Sequence, residues 1–367
     1  MSPLLPLLTA LLAPPRPILV DVHVHTTPER TALTADLLAA TGVTRFVNLS
    51  GGAPGDGLED AIEAGVALEG RVAVCANPEW RRLLSEPGDF GASQAAMLAK
   101  AKALGARCLK ISKALGLMVP DPSAPGALLK VDDPRLDGMW AAAGALDLPV
   151  FIHVADPKAF FEPMGPDNER MAELGVHPDW SFHDARYPRQ MELLDALERV
   201  IVRHRETRFI AVHFGNNAED LDYVDRLLTE NPNLYVDIAA RVPEIGRHDP
   251  ARVQAVFTRH QDRILFGTDL GVTRGIMLGS VGKEKPGLPD VFLFYADHFR
   301  WFETADRAMP HPTPIQGDWT INGIALPRPV LEKVYGINAL RLLFGEVGPT
   351  AVDRAALDEA PEMAEFF

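Results

Sequence analysis

Two periods of apolar residues alternate along this chain. Short apolar runs recur, and between them lie longer stretches where apolar positions return every three or four residues. The short runs read as buried strands and the longer stretches as amphipathic helices. Strands are predicted at 17–22, 43–49, 71–76, 106–112, 148–154, 208–214, 234–238 and 263–268. Helices are predicted at 34–41, 58–68, 94–104, 134–146, 190–204, 218–231 and 250–260, with Gly42 and Gly105 closing two of them. Strands that alternate with helices in this way imply parallel pairing through crossover connections. Eight such units predict an α/β fold of the (β/α)8 TIM-barrel type, with long loops after strands 5 and 8. A doubly wound open sheet is the alternative, and no Gly-x-Gly-x-x-Gly follows the first strand to support it. The barrel is expected over 18–345, after an extension at 1–17 and before a tail at 346–367.

Chemistry collects where these strands end. The first runs into Asp21-Val22-His23-Val24-His25. Residues two apart on a strand share a face, so His23 and His25 project together and can grip one metal ion. The fourth strand carries Lys110, the fifth ends in His153, the sixth in His213 and the eighth in Asp269. Barrel enzymes work at the C-terminal ends of their strands. Three neutral imidazoles and a carboxylate make a four-ligand shell with room for water or substrate. Imidazole donors place zinc first, with manganese or iron as alternatives.

The order His-x-His, Lys, His, His, Asp resembles the amidohydrolase superfamily, in the branch related to aminocarboxymuconate-semialdehyde decarboxylase and dicarboxylate lactonases. The resemblance rests on Val20-Asp21-Val22-His23-Val24-His25, Val212-His213-Phe214-Gly215 and Phe266-Gly267-Thr268-Asp269. It extends to the C-terminal helix Lys333-Val334-Tyr335-Gly336-Ile337-Asn338-Ala339-Leu340-Arg341-Leu342-Leu343, and so over roughly 18–345. It implies that His23, His25, His153 and Asp269 hold one divalent ion. His213 would be the general acid/base, or a ligand of a second ion. Asp269 also has the chemistry to deprotonate a bound water. Lys110 would bind a substrate carboxylate or pair with Asp21 or Asp269 in a one-metal site, or bridge two metals once carboxylated. Hydrolysis of an ester, lactone or amide is the leading expectation. Non-oxidative decarboxylation of an aromatic or unsaturated acid is the alternative, and a non-catalytic metal-binding scaffold is a reading of another class.

Substrate recognition is expected from the two longest connections. In 156–189, Trp180, His183, Arg186 and Tyr187 have the chemistry to wall a pocket for an aromatic or carboxylated ligand. Lys113 reads as a solvated lysine of a neighbouring loop. Arg241, past the seventh strand, suits a paired clamp on a carboxylate, or an ion pair with Asp237 or Glu244. Asn216 and Asn48 follow strand ends and are further pocket candidates. The aromatic helix near 292–302 suggests packing or a subunit interface, so a homo-oligomer is an open expectation.

Composition narrows the partners. A net charge of −14 over 367 residues argues against a nucleic-acid backbone as ligand and says little about the small-molecule substrate expected from the strand-end residues. No apolar run has the length of a membrane span. Cys75 and Cys108 both fall in predicted strands and read as core thiols, which fits a reducing, cytoplasmic setting. The apolar stretch 4–12 reads as an N-terminal helix packed on the barrel, with an atypical export signal at 1–15 as the alternative.

Overall fold

Eight of the predicted apolar runs form the staves of one barrel in a computed structural model, which describes residues 17–85, 88–282 and 285–348. In chain order these are β1 (Val20–Thr26), α1 (Thr31–Ala40), β2 (Arg45–Asn48), α2 (Leu58–Val66), β3 (Val72–Ala76), α3 (Phe90–Leu104), β4 (Cys108–Ile111) and α4 (Asp137–Ala145). They continue as β5 (Val150–Ile152), α5 (Gln190–Arg203), β6 (Phe209–Ala211), α6 (Leu221–Glu230), β7 (Leu234–Asp237), α7 (Pro250–Arg259) and β8 (Ile264–Leu265). Neighbours from β1 to β8 pair in parallel, in sequence order. The ring closes where the Val22 N–H donates to the Phe266 carbonyl and the Asp269 N–H to the His23 carbonyl. The expected helix at 4–12 and the tail beyond 348 lie outside the described residues.

Alternation along the strands separates two apolar layers. Val20, Val22, Val47, Ala73, Cys75, Cys108, Phe151, Ile210 and Leu265 fill the barrel interior. Leu19, Phe46, Val74, Leu109, Val150, Ile152, Phe209, Val236 and Phe266 pack outward against the helices. The C-terminal segment plugs one end with Ala339, Leu340, Leu342 and Leu343. Asn338 fastens it by donating to the carbonyls of Gln261 and Ile264. The aromatic helix α8 (Leu288–Glu303) buries Phe294, Tyr295, Phe299, Trp301 and Phe302 in the core, so packing accounts for its stripe.

Two features depart from the sequence expectations. A hairpin follows Asp269, with β9 (Leu270–Val272) running beside β1 and β10 (Ile276–Leu278) antiparallel to β9. Three residues are too few to show a period, which hid both strands. Second, Cys75 and Cys108 are not free thiols. They face each other across β3 and β4 and are joined by a disulfide. Sequence separation does not reveal register, and the argument from free thiols to a reducing compartment falls with them. Among the described residues, no helix is long and apolar enough to cross a membrane.

Candidate active site

The site begins with an irregularity in β1. The register against β2 shifts between Asp21 and Val24. Val20 and Val22 therefore belong to the barrel interior, while His23 and His25, one residue out of that parity, line the cavity above it. Irregularities of this kind re-aim side chains beside active sites. Asp21 holds the bend from behind. Its carboxylate accepts the N–H groups of His23 and Thr268 and the hydroxyls of Thr268 and Tyr295, tying β1 to the end of β8. Gly267 lets the strands approach, since a Cβ there would sit 3.0 Å from the His23 Cβ.

His23, His25 and Asp269 converge. Asp269 Oδ1 lies 3.6 Å from His23 Nε2 and 3.4 Å from His25 Nε2. An ion with bonds of about 2.0–2.2 Å sets tetrahedral donors roughly 3.3–3.6 Å apart, so Asp269 stands at metal-site spacing from each histidine, and the three ligand atoms all lie within 4.8 Å of one another. The tautomers fit as well. His23 Nδ1 is 2.8 Å from Asp237 Oδ2, and His25 Nδ1 is 2.7 Å from the Ser50 hydroxyl. Each contact occupies the far nitrogen and leaves Nε2 for the ion, the usual carboxylate–histidine–metal arrangement. Burial, reinforced by Lys110, holds His23 well below the ordinary imidazole value, so it is a neutral donor. His153 stands apart from this trio, with its Nε2 3.2 Å from Asp156 Oδ1.

His213 reaches the cavity by backbone strain. β6 ends at Ala211, and His213, Phe214, Gly215 and Asn216 all have positive φ, at 55°, 55°, 73° and 60°. Asp269 is also left-handed, at 64°. Non-glycine residues in this region are uncommon and concentrate at functional sites. The His213 ring lies 4.3 Å from that of His153 and 4.9 Å from that of His23. Its Nδ1 is 2.8 Å from the Ala239 carbonyl, which can only accept, so Nδ1 carries the proton and Nε2 is left with its lone pair. Lys110 lines the cavity from β4, and its buried Nζ makes no hydrogen bond. Burial lowers it to about 8, against the pull of Asp237 and Asp269.

A cavity of about 280 Å3 joins these groups with Lys113, Asp156, Phe160, Glu173, Trp180, Arg241, Met277, Ser280 and Gln316. Of the predicted substrate residues, Lys110, Trp180 and Arg241 are in its wall. His183 and Arg186 are solvent-exposed and do not line it. Arg186 instead folds over Tyr187, which packs edge-on against Phe182 in the body of the loop. Asn216 faces backbone: Oδ1 accepts the N–H groups of Val154 and Ala155, and Nδ2 donates to the Ile152 carbonyl. Asn48 likewise braces Thr26 and Ser50. Arg241 pairs with neither Asp237 nor Glu244 but approaches Asp156, at 3.6 Å. Lys113 is not a solvated loop lysine. It is 2.5 Å from Asp156 Oδ2 and lines the cavity.

Asp237 is the functional residue most plainly missed. It stands at an inward position of an apolar strand, which was a readable signal, and it orders two histidines at once. Besides His23 it accepts the N–H of His213 at 2.8 Å. Asp237→Asn keeps an oxygen for that amide but can set an NH2 donor against His23 Nδ1, favouring the tautomer whose Nε2 has no lone pair. Metal affinity is expected to fall about 10- to 100-fold, read by chelator competition. Unchanged affinity would show that barrel packing alone orients His23.

The family model for amidohydrolases matches residues 20–345. The search of curated proteins finds no match. Among solved structures, the chain resembles a dihydroxybenzoic acid decarboxylase from Polaromonas sp. JS666 holding manganese and 2-nitroresorcinol, at 14% identity and a TM-score of 0.51, with 90% of this chain and 97% of that one covered. An uncharacterised TIM-barrel protein from Bordetella bronchiseptica gives 14% and 0.50, covering 89% and 98%. An amidohydrolase from Burkholderia multivorans with bound zinc gives 13% and 0.47, covering 89% and 99%. Such identities speak for the fold alone. The family match runs almost the length of the barrel and takes in the strand ends that carry His23, His25 and Asp269, and on that footing the chain belongs to the amidohydrolase family and is an enzyme whose site suits a divalent metal.

Proposed function

We propose that this enzyme is a hydrolase that adds water to an ester, lactone or amide of a small carboxylated or aromatic substrate, using one zinc ion held by His23, His25 and Asp269, with His153 as a further ligand. The observation that carries the reading is the His213 tautomer. With Nδ1–H committed to the Ala239 carbonyl, the free Nε2 is a base in the resting enzyme. Burial, with His153, Arg241 and His23 around it, also holds His213 well below the ordinary imidazole value. Hydrolysis first needs a base, whereas decarboxylation needs a proton donor.

A bound divalent ion supplies Lewis acidity, polarising the acyl carbonyl and acidifying water. His213 Nε2 takes a proton from the attacking water, whose oxygen bonds to the acyl carbon. The same Nε2–H then protonates the leaving oxygen or nitrogen as the acyl bond breaks. Asp269 stays a carboxylate throughout, because a cation held between it and the histidines would favour its charged form. Lys110 has donors free for a substrate oxygen. The cavity is at the small end for ligand sites, which restricts the substrate to a compact acid or ring.

The test is a panel of small esters, lactones, amides and aromatic acids turned over by metal-loaded protein in 18O-labelled water. Label in the product carboxylate, without gas release, is the expected result. CO2 release without label would overturn hydrolysis in favour of decarboxylation of an aromatic or unsaturated acid.

A further inference from the structure

The cavity wall where the ends of β4, β5 and β7 meet carries charges the hydrolytic steps do not use. Asp156 is 5% exposed and engages three neighbours. Its Oδ2 takes the Lys113 ammonium at 2.5 Å, while Oδ1 lies 3.2 Å from His153 Nε2 and 3.6 Å from Arg241 Nη2. Lys113 and Arg241 thus share one carboxylate, while beside them Arg170 is paired with both Glu173 and Glu244, so the feature that suits an anion here is the Lys113 ammonium itself and not a net charge. Lys113 is also fixed in place. Its Nζ sits 5.0 Å from the Trp180 ring centroid, 5.2 Å from Phe182 and 5.9 Å from Phe160. Trp180 is in turn stacked on His177 at 3.9 Å, and His177 Nε2 meets the Val281 carbonyl at 2.9 Å. An ammonium has three N–H donors, and with one given to Asp156 the others remain for a ligand in the cavity.

We infer that Lys113 is a specificity-determining residue, which selects substrates bearing an anionic group, and that Asp156 is its internal competitor. A substrate carboxylate entering this corner shares or takes over the ammonium that Asp156 holds. The ammonium favours an anionic group at its open donors and disfavours a cationic one. Asp156 keeps Lys113 ordered and partly neutralised between turnovers, so a neutral ligand gains nothing from the corner. This assignment rests on the reading of the cavity as a substrate site, but its test needs no turnover.

The probes are isophthalate and 3-carbamoylbenzoate, which differ by one carboxylate replaced with an amide. Their binding to metal-loaded full-length protein is measured by calorimetry. The native enzyme is expected to prefer isophthalate by roughly tenfold or more, the scale of one charge-assisted hydrogen bond. Lys113→Met abolishes that preference, and Lys113→Arg, which keeps the charge, retains it. Asp156→Asn removes the competitor and tightens isophthalate several-fold, where a purely structural Asp156 would weaken it. A preference that survives Lys113→Met, is absent from the native enzyme, or falls in Asp156→Asn overturns the inference. Should Lys113→Met fail to fold, Asp156→Asn decides alone. If the charge preference behaves as expected but no ester, lactone or amide is hydrolysed, the hydrolase reading fails and this one stands.

Discussion

Replacing Asp269 or His23 with alanine is expected to remove metal and activity together. In native protein purified without added metal or chelator, elemental analysis should find about one equivalent of divalent ion per chain, and in either variant close to none. Three donors that lie within 4.8 Å of one another come from two strand ends, and Asp269 Oδ1 is within 3.6 Å of the Nε2 atoms of both histidines. Removing it takes away the one carboxylate of the set and leaves His23 and His25, with His153 Nε2 at Asp156, too few converging donors for a stable site of this kind. Lewis-acid stabilisation is worth several kcal/mol, and about 1.4 kcal/mol is tenfold in rate. The rate should therefore fall by roughly a thousandfold or more. The fold should survive, because Asp21, Thr268 and Tyr295 hold the junction of β1 and β8 through contacts that do not involve the Asp269 side chain. Full activity in a metal-free variant would end the metal-enzyme reading.

The residues whose place on the cavity wall was legible in the sequence share one property: each announces itself on its own segment. His23, His25, His153, His213 and Asp269 stand at the ends of apolar runs, and a barrel gathers strand ends. What stayed hidden depends on pairs. Asp237 orients His23 from 214 positions away, and nothing local in either segment links them. Lys113 looked like a loop lysine because Asp156 and the rings that enclose it arrive from the next unit. The pairing of Cys75 with Cys108 depends on the register of two parallel strands. His23 and His25 reach the cavity face only because of a compensation within β1. Simple alternation from Val20 and Val22 would have turned both histidines outward, and the irregularity in β1 restores them. The same holds for His213, which a continued β6 would have buried on the helix side and which the left-handed turn swings inward. Periodicity locates elements well but cannot announce where a strand breaks its own rule.

His213→Ala is expected to lower kcat by about 10^2- to 10^4-fold, the range for losing a general acid/base, while metal content stays at the native level. Among the described residues the side chain's hydrogen bond is Nδ1–H to the Ala239 carbonyl, and the backbone N–H to Asp237 is independent of it. The left-handed turn should therefore persist, and KM should change far less than kcat. The pH profile gives a second reading. Since burial and neighbouring cationic groups depress His213, its neutral form dominates down through 6.5, the ordinary imidazole value. Native activity should therefore hold across neutrality and fall only below that value as Nε2 takes up its proton. In the alanine variant this acid limb should disappear from the residual activity. Metal content decides what a loss of activity means. Retained metal assigns His213 to proton transfer. A native content of about two equivalents, falling to one in the variant, would make it a ligand instead. It would also assign Lys110, carboxylated, as the bridge between two ions.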